Sequence, residues 1–519
     1  MPAPTSHTAE PCVMVIFGAS GDLTHRKLIP SLFEQHRQGN LPPGLAVLGV
    51  SRTEMSDNAF RDKMLASAKK FAADFDAGEW SKFAKCLHYS ALDATDAAAY
   101  PTLSERVNDL ARKADIVKPS GSPNILFYLS VSPDLYEKII GNIGAGGLVS
   151  EGRRWCSINP AESSWQRIIV EKPFGSDLES AESLNRALGR VFEEEAIFRI
   201  DHYLGKELVQ NILVLRFANT IFEPTWNRSH VDHVQVTAAE TVGVGSRAAN
   251  FYDNAGAMRD MIQSHLLQVM AMVAIEQPTR YDGESIMRER MKLFEAAKIV
   301  PDAMIPEWGA FGRYAANPAK GEPAYENEEG ADPTRRTETY AAMKLELDNW
   351  RWAGVPFYLR SGKKLATKLT EIVVQFKKPP TNLFKLVDPK AADRPANRLI
   401  INIAPREGIS LRIEGKVPGA GLHIDSAKLD LDYIERFGGE PIEAYGPLIM
   451  DAIRGDRTLY KNRSEVESGW RICDPFIRHE GLRKSIQSYA AGSWGPESGD
   501  ELLRRDGRIW HNPIASDVR

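Results

Sequence analysis

The string Val13–Phe17, running straight into Gly18, Ala19, Ser20 and Gly21, constrains the fold of this chain more than any other. A short apolar strand that meets glycines and then a helical pattern needs backbone without Cβ atoms, so that helix amides can approach an anion closely. The pattern opens a dinucleotide-binding fold, although Thr24 stands where its third glycine usually falls. Taken singly, the string describes an ordinary strand-to-helix turn equally well, so its surroundings have to decide.

The surroundings alternate. Apolar runs at 13–17, 46–50, 125–131, 168–171 and 197–200, with a weaker one at 86–92, read as strands, and amphipathic stretches such as 58–75 and 178–195 read as helices between them. Strands that alternate with helices form a parallel sheet covered on both faces, which is the doubly wound Rossmann arrangement. Pro30 is a local conflict, because it falls inside the helix expected after the glycines and should interrupt it.

After about residue 205 the texture changes to helical segments at 205–217 and 257–275, then to strands at 231–240, 339–347, 371–377, 399–403 and 409–413. Strands without intervening helices favour a large, mainly antiparallel sheet, so the second domain is expected to be α+β. The expected division is residues 1–204 and 205–519, in keeping with a length of 519 residues. Residues 317–335, rich in Gly, Pro and Glu, read as a long surface loop, and the tail after 492 has little periodicity.

With 43% hydrophobic and 26% charged residues and a net charge of −4, the composition is that of a soluble globular protein, and nucleic acid is not an expected partner. No stretch reaches the roughly twenty apolar residues of a membrane span. Cys12, Cys86, Cys156 and Cys473 are far apart and lack metal-binding spacing, so neither a disulfide framework nor a metal site is expected, and a cytoplasmic location fits.

The strand at 46–50 ends in Ser51 and Arg52 where an NAD site commonly has a carboxylate. Arginine there can pair with the 2′-phosphate of NADP, so NADP is the preferred cofactor and NAD the weaker alternative; a solvated surface arginine is the plainer reading. The string Arg199 to Glu207, RIDHYLGKE, follows the last expected strand of the first domain, where open α/β sheets bind ligands. His202, Tyr203 and Lys206 together could hold a phosphate, whereas each one singly is ordinary packing or a solvated charge. Lys172 lies between a strand and Pro173, which keeps it extended. Arg360, Lys363, Lys364 and Lys368 form a further basic group, readable as an anion site or a solvated turn.

Met258, Met261, Ile262, His265, Leu266 and Val269 follow helical spacing as one apolar stripe. A histidine in such a stripe is usually a hydrogen-bonded core residue. Asp260, five residues earlier, would lie about 140° away on an α-helix and so off the face of His265.

Four strings, GASGDLTHRKL, EKPFG, DHYLGKE and RDMIQSHLLQ, occur in the order found in the glucose-6-phosphate dehydrogenase family, and RFANTIFEPTWN fits as well. The chain resembles that family from about Val13 to the region of Gly492, and DHYLGKE is the most specific of the strings. The resemblance implies hydride transfer from C1 of glucose 6-phosphate to NADP, the first step of the oxidative pentose phosphate pathway, in a homodimer or homotetramer. It implies His265 as general base and Asp201 as the carboxylate that orients it. It further implies His202, Tyr203 and Lys206 on the phosphate, Glu240, Asp260, Lys363 and Lys368 on the sugar side, and Lys172 towards both substrate and cofactor. Gly18, Ser20, Gly21, Asp22, Leu23, Lys27 and Arg52 match the cofactor site.

The chain departs from the family where Ala404 precedes Pro405 in place of a common glutamine, which removes one polar sugar contact and bears on sugar discrimination. Thr24 and His25 replace a common Ala-Lys. Two other readings remain open: a dehydrogenase of broader sugar-6-phosphate scope, and a non-catalytic NADP-binding sensor on the same fold.

Overall fold

The computed structural model describes residues 9–119, 121–149, 163–245, 252–381, 383–384, 386–387, 395–438 and 444–513. The chain forms two compact units that exchange segments: residues 1–205, 278–288 and 443–467 make the first, and 206–277, 289–442 and 468–519 the second. One change of unit falls beside the expected division at 204. The two returns to the first unit have no counterpart in the linear reading, because contacts far apart in sequence define them.

The first unit is built on a seven-stranded sheet. Its strands are β1 (Val13–Phe17), β2 (Ala46–Ser51), β3 (Leu87–Ala91), β4 (Ile125–Leu129), β5 (Gln166–Val170) and β6 (Ile197–Ile200), with β15 (Tyr460–Lys461) contributed from far downstream. Across the sheet they run β3-β2-β1-β4-β5-β6-β15, parallel except for β15, which pairs antiparallel to β6. The chain starts at β1, winds out one way through β2 and β3, then crosses back to β4, so the order reverses beside β1, where doubly wound sheets bind ligands. β1 and β4 are buried throughout, as expected for strands covered on both faces.

The expected helix at 58–75 runs Asp57–Phe71, capped by the Ser56 side chain, which accepts from the Ala59 amide. Ala72 is extended and ends it, and a second short helix follows at Ala77–Phe83. Likewise the helix expected over 178–195 ends at Gly189. Pro30 causes no break: the turn Thr24–Leu28 is π-helical, the α-helix begins at Ile29, and Pro30 occupies its first turn, where no amide partner is needed.

The second unit carries a nine-stranded sheet of β7 (Val231–Ala239), β8 (Gly309–Tyr314), β9 (Tyr340–Glu346), β10 (Pro356–Gly362), β11 (Leu369–Phe376), β12 (Arg398–Ala404), β13 (Gly408–Lys416), β14 (Ile424–Asp432) and β16 (Gln487–Tyr489). Their order is β14-β13-β12-β11-β7-β10-β9-β8-β16, antiparallel except for the β7/β10 and β8/β16 pairs. Helical segments Met258–Leu266 and Leu267–Ala274 continue one another, and the first packs on β7, β9 and β10.

The loop expected at 317–335 contains three short 3₁₀ turns and is pinned by Tyr325, a buried ring whose hydroxyl donates to Asp253 at 2.7 Å. The weakly patterned tail forms the helix Glu497–Arg504, and Leu502, Leu503 and Trp510 enter the hydrophobic core of this unit.

Candidate active site

The glycine turn is held from both neighbouring strands. The amides of Gly18 and Ala19 both donate to the Val50 carbonyl at the end of β2, at 2.9 and 3.1 Å. Gly18 has φ +90°, and a Cβ there would meet the Ser130 carbonyl oxygen, beyond β4. Thr24 is fully buried, and its hydroxyl bridges the Gly18 carbonyl at 3.2 Å and Ser130 Oγ at 3.3 Å. Its side chain thus closes the turn from inside, which accounts for threonine at the third glycine position.

Asp22 and Leu23 open the helical run that Lys27 continues, so its unpaired first amides sit at the carboxyl end of β1 together with Ser20 and Gly21. Arg52 is exposed directly after β2, near Asp93, whose carboxyl is held low chiefly by the amide and hydroxyl of Thr95 and to a lesser degree by the Arg52 charge. The strand end before it is fixed by Tyr89, whose hydroxyl lies 2.7 Å from Ser51 Oγ and donates to the Thr53 carbonyl at 2.6 Å. A glycine turn and a helix start at the carboxyl end of β1 fit a pyridine nucleotide.

Lys172 follows β5, and its bond to Pro173 is cis. Before it, Glu171 is buried and accepts from the Tyr128 hydroxyl at 2.6 Å. Burial pushes its carboxyl up to about 7, against the pull of Tyr128 and Lys172. Asp201 follows β6 and is 1% exposed; its Oδ1 accepts from the Tyr203 amide at 3.0 Å, and its Oδ2 lies 3.3 Å from the Lys461 ammonium. His202 and Tyr203 are half-buried with ring centroids 5.1 Å apart. Thus Gly18, Arg52, Lys172 and Asp201 all stand at carboxyl ends of parallel strands of one sheet.

In the second unit, Glu240 and Lys363 leave the adjacent parallel strands β7 and β10 side by side and form an ion pair. Lys368 is exposed just before β11, whose Leu369 pairs with Ala239, so it marks the same end of the sheet. Ala404 belongs to that end too, since it pairs with Thr370 of β11. Lys206 is the N-cap of helix Glu207–Phe217 and faces Glu407, a carboxyl pushed up by burial and by Glu207 while Lys206 draws it down.

Two readings of this region are corrected. Arg360 is fully buried inside β10, stacked over the rings of Trp494 and Trp510 and bonded to His511 and Asn512 of the tail, so it packs the core and does not join the basic group. Second, Met258–Leu266 is π-helical, with amides of residue i+5 donating to carbonyls of residue i, and this wider turn brings Asp260 and His265 nearer to one face than the 140° of an α-helix. His265 is 1% exposed and Asp260 half-buried. Nearby Tyr252 is buried, and burial with the carboxylates of Asp260, Glu338 and Glu240 pushes its hydroxyl far up.

The glucose-6-phosphate dehydrogenase NAD binding domain model matches residues 15–211, and the C-terminal domain model of the same name matches residues 213–511. The chain belongs to the glucose-6-phosphate dehydrogenase family. It is 42% identical over 508 residues to a glucose-6-phosphate 1-dehydrogenase of Aggregatibacter actinomycetemcomitans, covering 97% of this chain and 98% of that one. The enzyme of that name from Mycolicibacterium smegmatis is 41% identical, with 98% and 99% covered. A solved glucose-6-phosphate dehydrogenase in complex with its substrate glucose-6-phosphate superposes with a TM-score of 0.87 at 31% identity, covering 98% of this chain and all of that one.

Within this member of the glucose-6-phosphate dehydrogenase family, sequence reasoning missed three residues. Glu171 reads as the end of an apolar strand, and Ser130 as the interior of the strand expected at 125–131, whereas that strand ends at Leu129 and leaves Ser130 in the loop after it. Lys461 had no local signal, because only the pairing of β15 with β6 brings it to Asp201. Among the described residues, no group of three or more His, Cys, Asp or Glu side chains is arranged to hold a metal ion.

Proposed function

We propose that this chain oxidises C1 of glucose 6-phosphate with NADP, giving 6-phosphogluconolactone and NADPH. Membership of the family across both domains, at about full length, is the observation that carries this reading. The family acts on a CH–OH group of a sugar phosphate, so the chain is an oxidoreductase of that class.

Bound pyridine nucleotide supplies the hydride acceptor. His265 takes the proton of the C1 hydroxyl as hydride leaves that carbon, because a neutral imidazole titrates near working pH. Asp201 fixes the tautomer of that imidazole and stabilises its cation. His202, Tyr203 and Lys206 hold the phosphate, while Glu240, Asp260, Lys363 and Lys368 orient the sugar hydroxyls and Lys172 aligns substrate with cofactor. Gly18, Ser20, Gly21, Asp22, Leu23 and Lys27 cradle the pyrophosphate side, and Arg52 pairs with the 2′-phosphate, which favours NADP over NAD.

Purified protein should form NADPH from glucose 6-phosphate, followed by its near-ultraviolet absorbance, faster than it forms NADH. Galactose 6-phosphate belongs in the same assay, since Ala404 favours a more permissive sugar pocket. NADP binding with no reduction of either cofactor would instead make the chain a sensor on the same fold.

Subunits pair, in this proposal, through the edge of the nine-stranded sheet. The edge strand β14 and the helix after it leave Leu429, Leu431, Ile434 and Phe437 exposed, an apolar patch suited to a second copy. The thiols of Cys12, Cys86 and Cys473 are free, which supports a cytoplasmic site; Cys156 lies outside the described residues. No helix among the described residues is long and apolar enough to cross a membrane.

A further inference from the structure

Asp201 and Lys461 are brought together by a pairing that the alternating βα pattern does not anticipate. β15 is two residues long, pairs antiparallel to β6 in the register Tyr460↔Ile200 and Lys461↔Arg199, and so carries Lys461 to the end of the strand that Asp201 follows. Both side chains are almost completely buried, at 4% and 0% exposure, with 3.3 Å between Nζ and Oδ2. The ammonium also lies over the Phe174 ring, 5.2 Å from its centroid, in the turn after Lys172.

We propose that Lys461 is a positioning residue for the reaction: its ammonium holds Asp201 as an anion and moderates the charge that this carboxylate presents to the catalytic base. The inference rests on the assignment of Asp201 and His265 made above. Burial depresses the Lys461 pKa and Asp201 opposes that; Lys172 adds a second depressing charge and Glu465 a second supporting one. On the neighbouring strand, Arg199 is engaged by Glu194, which also binds Arg457, so that carboxylate is shared between two guanidiniums. Glu171, beside Lys172, is a further ionisable group at this end of the sheet, as are Asp451 and Asp456 around the adjacent Tyr460, and the Glu171 carboxyl is pushed up to about 7 by burial.

A carboxylate shared with an ammonium pulls less strongly on an imidazolium than one that is not. Lys461 thus keeps the base deprotonated to lower pH, and it keeps Asp201 itself ionised there. Both effects have the same sign: removing the ammonium raises the pH at which activity is lost on acidification. A side chain that only filled space would lower stability or turnover without moving that limb.

The test is the pH profile of kcat/KM for Lys461→Met, Lys461→Gln and Lys461→Arg, with circular dichroism and thermal unfolding to establish the fold of each. The neutral variants should shift the acid limb upward by about one pH unit, read as a roughly tenfold deficit below both limbs. Lys461→Arg should restore the wild-type limb. Glutamine keeps a donor while losing the charge, so it stands in if methionine does not fold, and an unmoved limb in either folded neutral variant overturns the proposal. His265→Asn, assayed in parallel, separates the two failures. Wild-type turnover in that variant removes the assignment on which the proposal rests, whereas collapse of turnover with an unmoved Lys461 limb removes the proposal alone.

Discussion

Gly18 and Ser130 approach so closely that a Cβ on Gly18 would lie 2.0 Å from the Ser130 carbonyl oxygen. The contact joins the first glycine of the turn to the strand across the switch point, so the cofactor loop and the break in strand order are one construction. Gly18→Ala meets this backbone clash and also a φ of +90°, itself worth roughly 1–3 kcal/mol of strain. The expected result is a lower unfolding temperature and the loss of NADP affinity, measured by equilibrium titration. Wild-type affinity in a folded variant would detach the turn from cofactor binding.

In the proposed site, Arg52 is the residue that would set the choice between cofactors. A charge-assisted contact with a phosphate contributes about 1.5–3 kcal/mol, so Arg52→Ala should reduce kcat/KM for NADP by roughly ten- to a hundredfold. NAD carries no 2′-phosphate, and its kcat/KM should change little. Initial rates with both cofactors check this, and an equal loss with each would show that Arg52 acts on the fold of the β2 end instead.

Much of the frame was legible because its signals are local. The apolar runs of β1, β2, β5 and β6 are bounded by turns, and the stripe from Met258 to Val269 is buried as its spacing implied. What failed to show was nonlocal or conformational. β10 is buried along its whole length, so it lacks alternation, and its Arg360 reads as one of a basic group until the tail is seen bonded to it. The mostly exposed β14, IDSAKLDLD, offers charge where a buried strand offers apolar residues. Asp260 and His265 were misplaced because periodicity arguments assume an α-helix, and a π-helical run of nine residues changes which side chains align. Lys461 is the clearest case, since two residues at a sheet edge leave no pattern at all.

Lys206 caps the helix that follows Gly205, at the point where a positive helix end adds to its own charge. Lys206→Ala should raise KM for glucose 6-phosphate by roughly ten- to a hundredfold, the loss expected for one ionic hydrogen bond, with kcat less affected. Steady-state kinetics decide, and an unchanged KM takes Lys206 out of the phosphate site.

Glu171 gives a stability prediction with a definite sign. Burial raises its folded pKa to about 7 from 4.5, so between those values the folded chain holds a proton that the unfolded chain has released. Folding stability from this group therefore falls as pH rises through that window and levels off above about 7. Glu171→Gln has no such ionisation and can still accept from Tyr128. Its stability relative to wild type should improve by on the order of 3 kcal/mol between the two ends of the window, in denaturant titrations at each pH. A difference that does not vary with pH rules out ionisation of Glu171 across this range.

In the proposed mechanism the chemistry turns on His265. It is buried on a π-helical segment, and a buried imidazole can serve as base only if it is held neutral before the reaction and paired afterwards. His265→Asn keeps a polar side chain of smaller volume in that position and removes the proton acceptor. Binding of NADP and of glucose 6-phosphate should persist, while kcat falls by about 10²–10⁴, the range supplied by a positioned general base. Equilibrium titrations and single-turnover rates measure the two quantities separately. Retained binding with collapsed turnover is the signature of a base, whereas parallel loss of both would mean that His265 holds the site together and that another group accepts the proton.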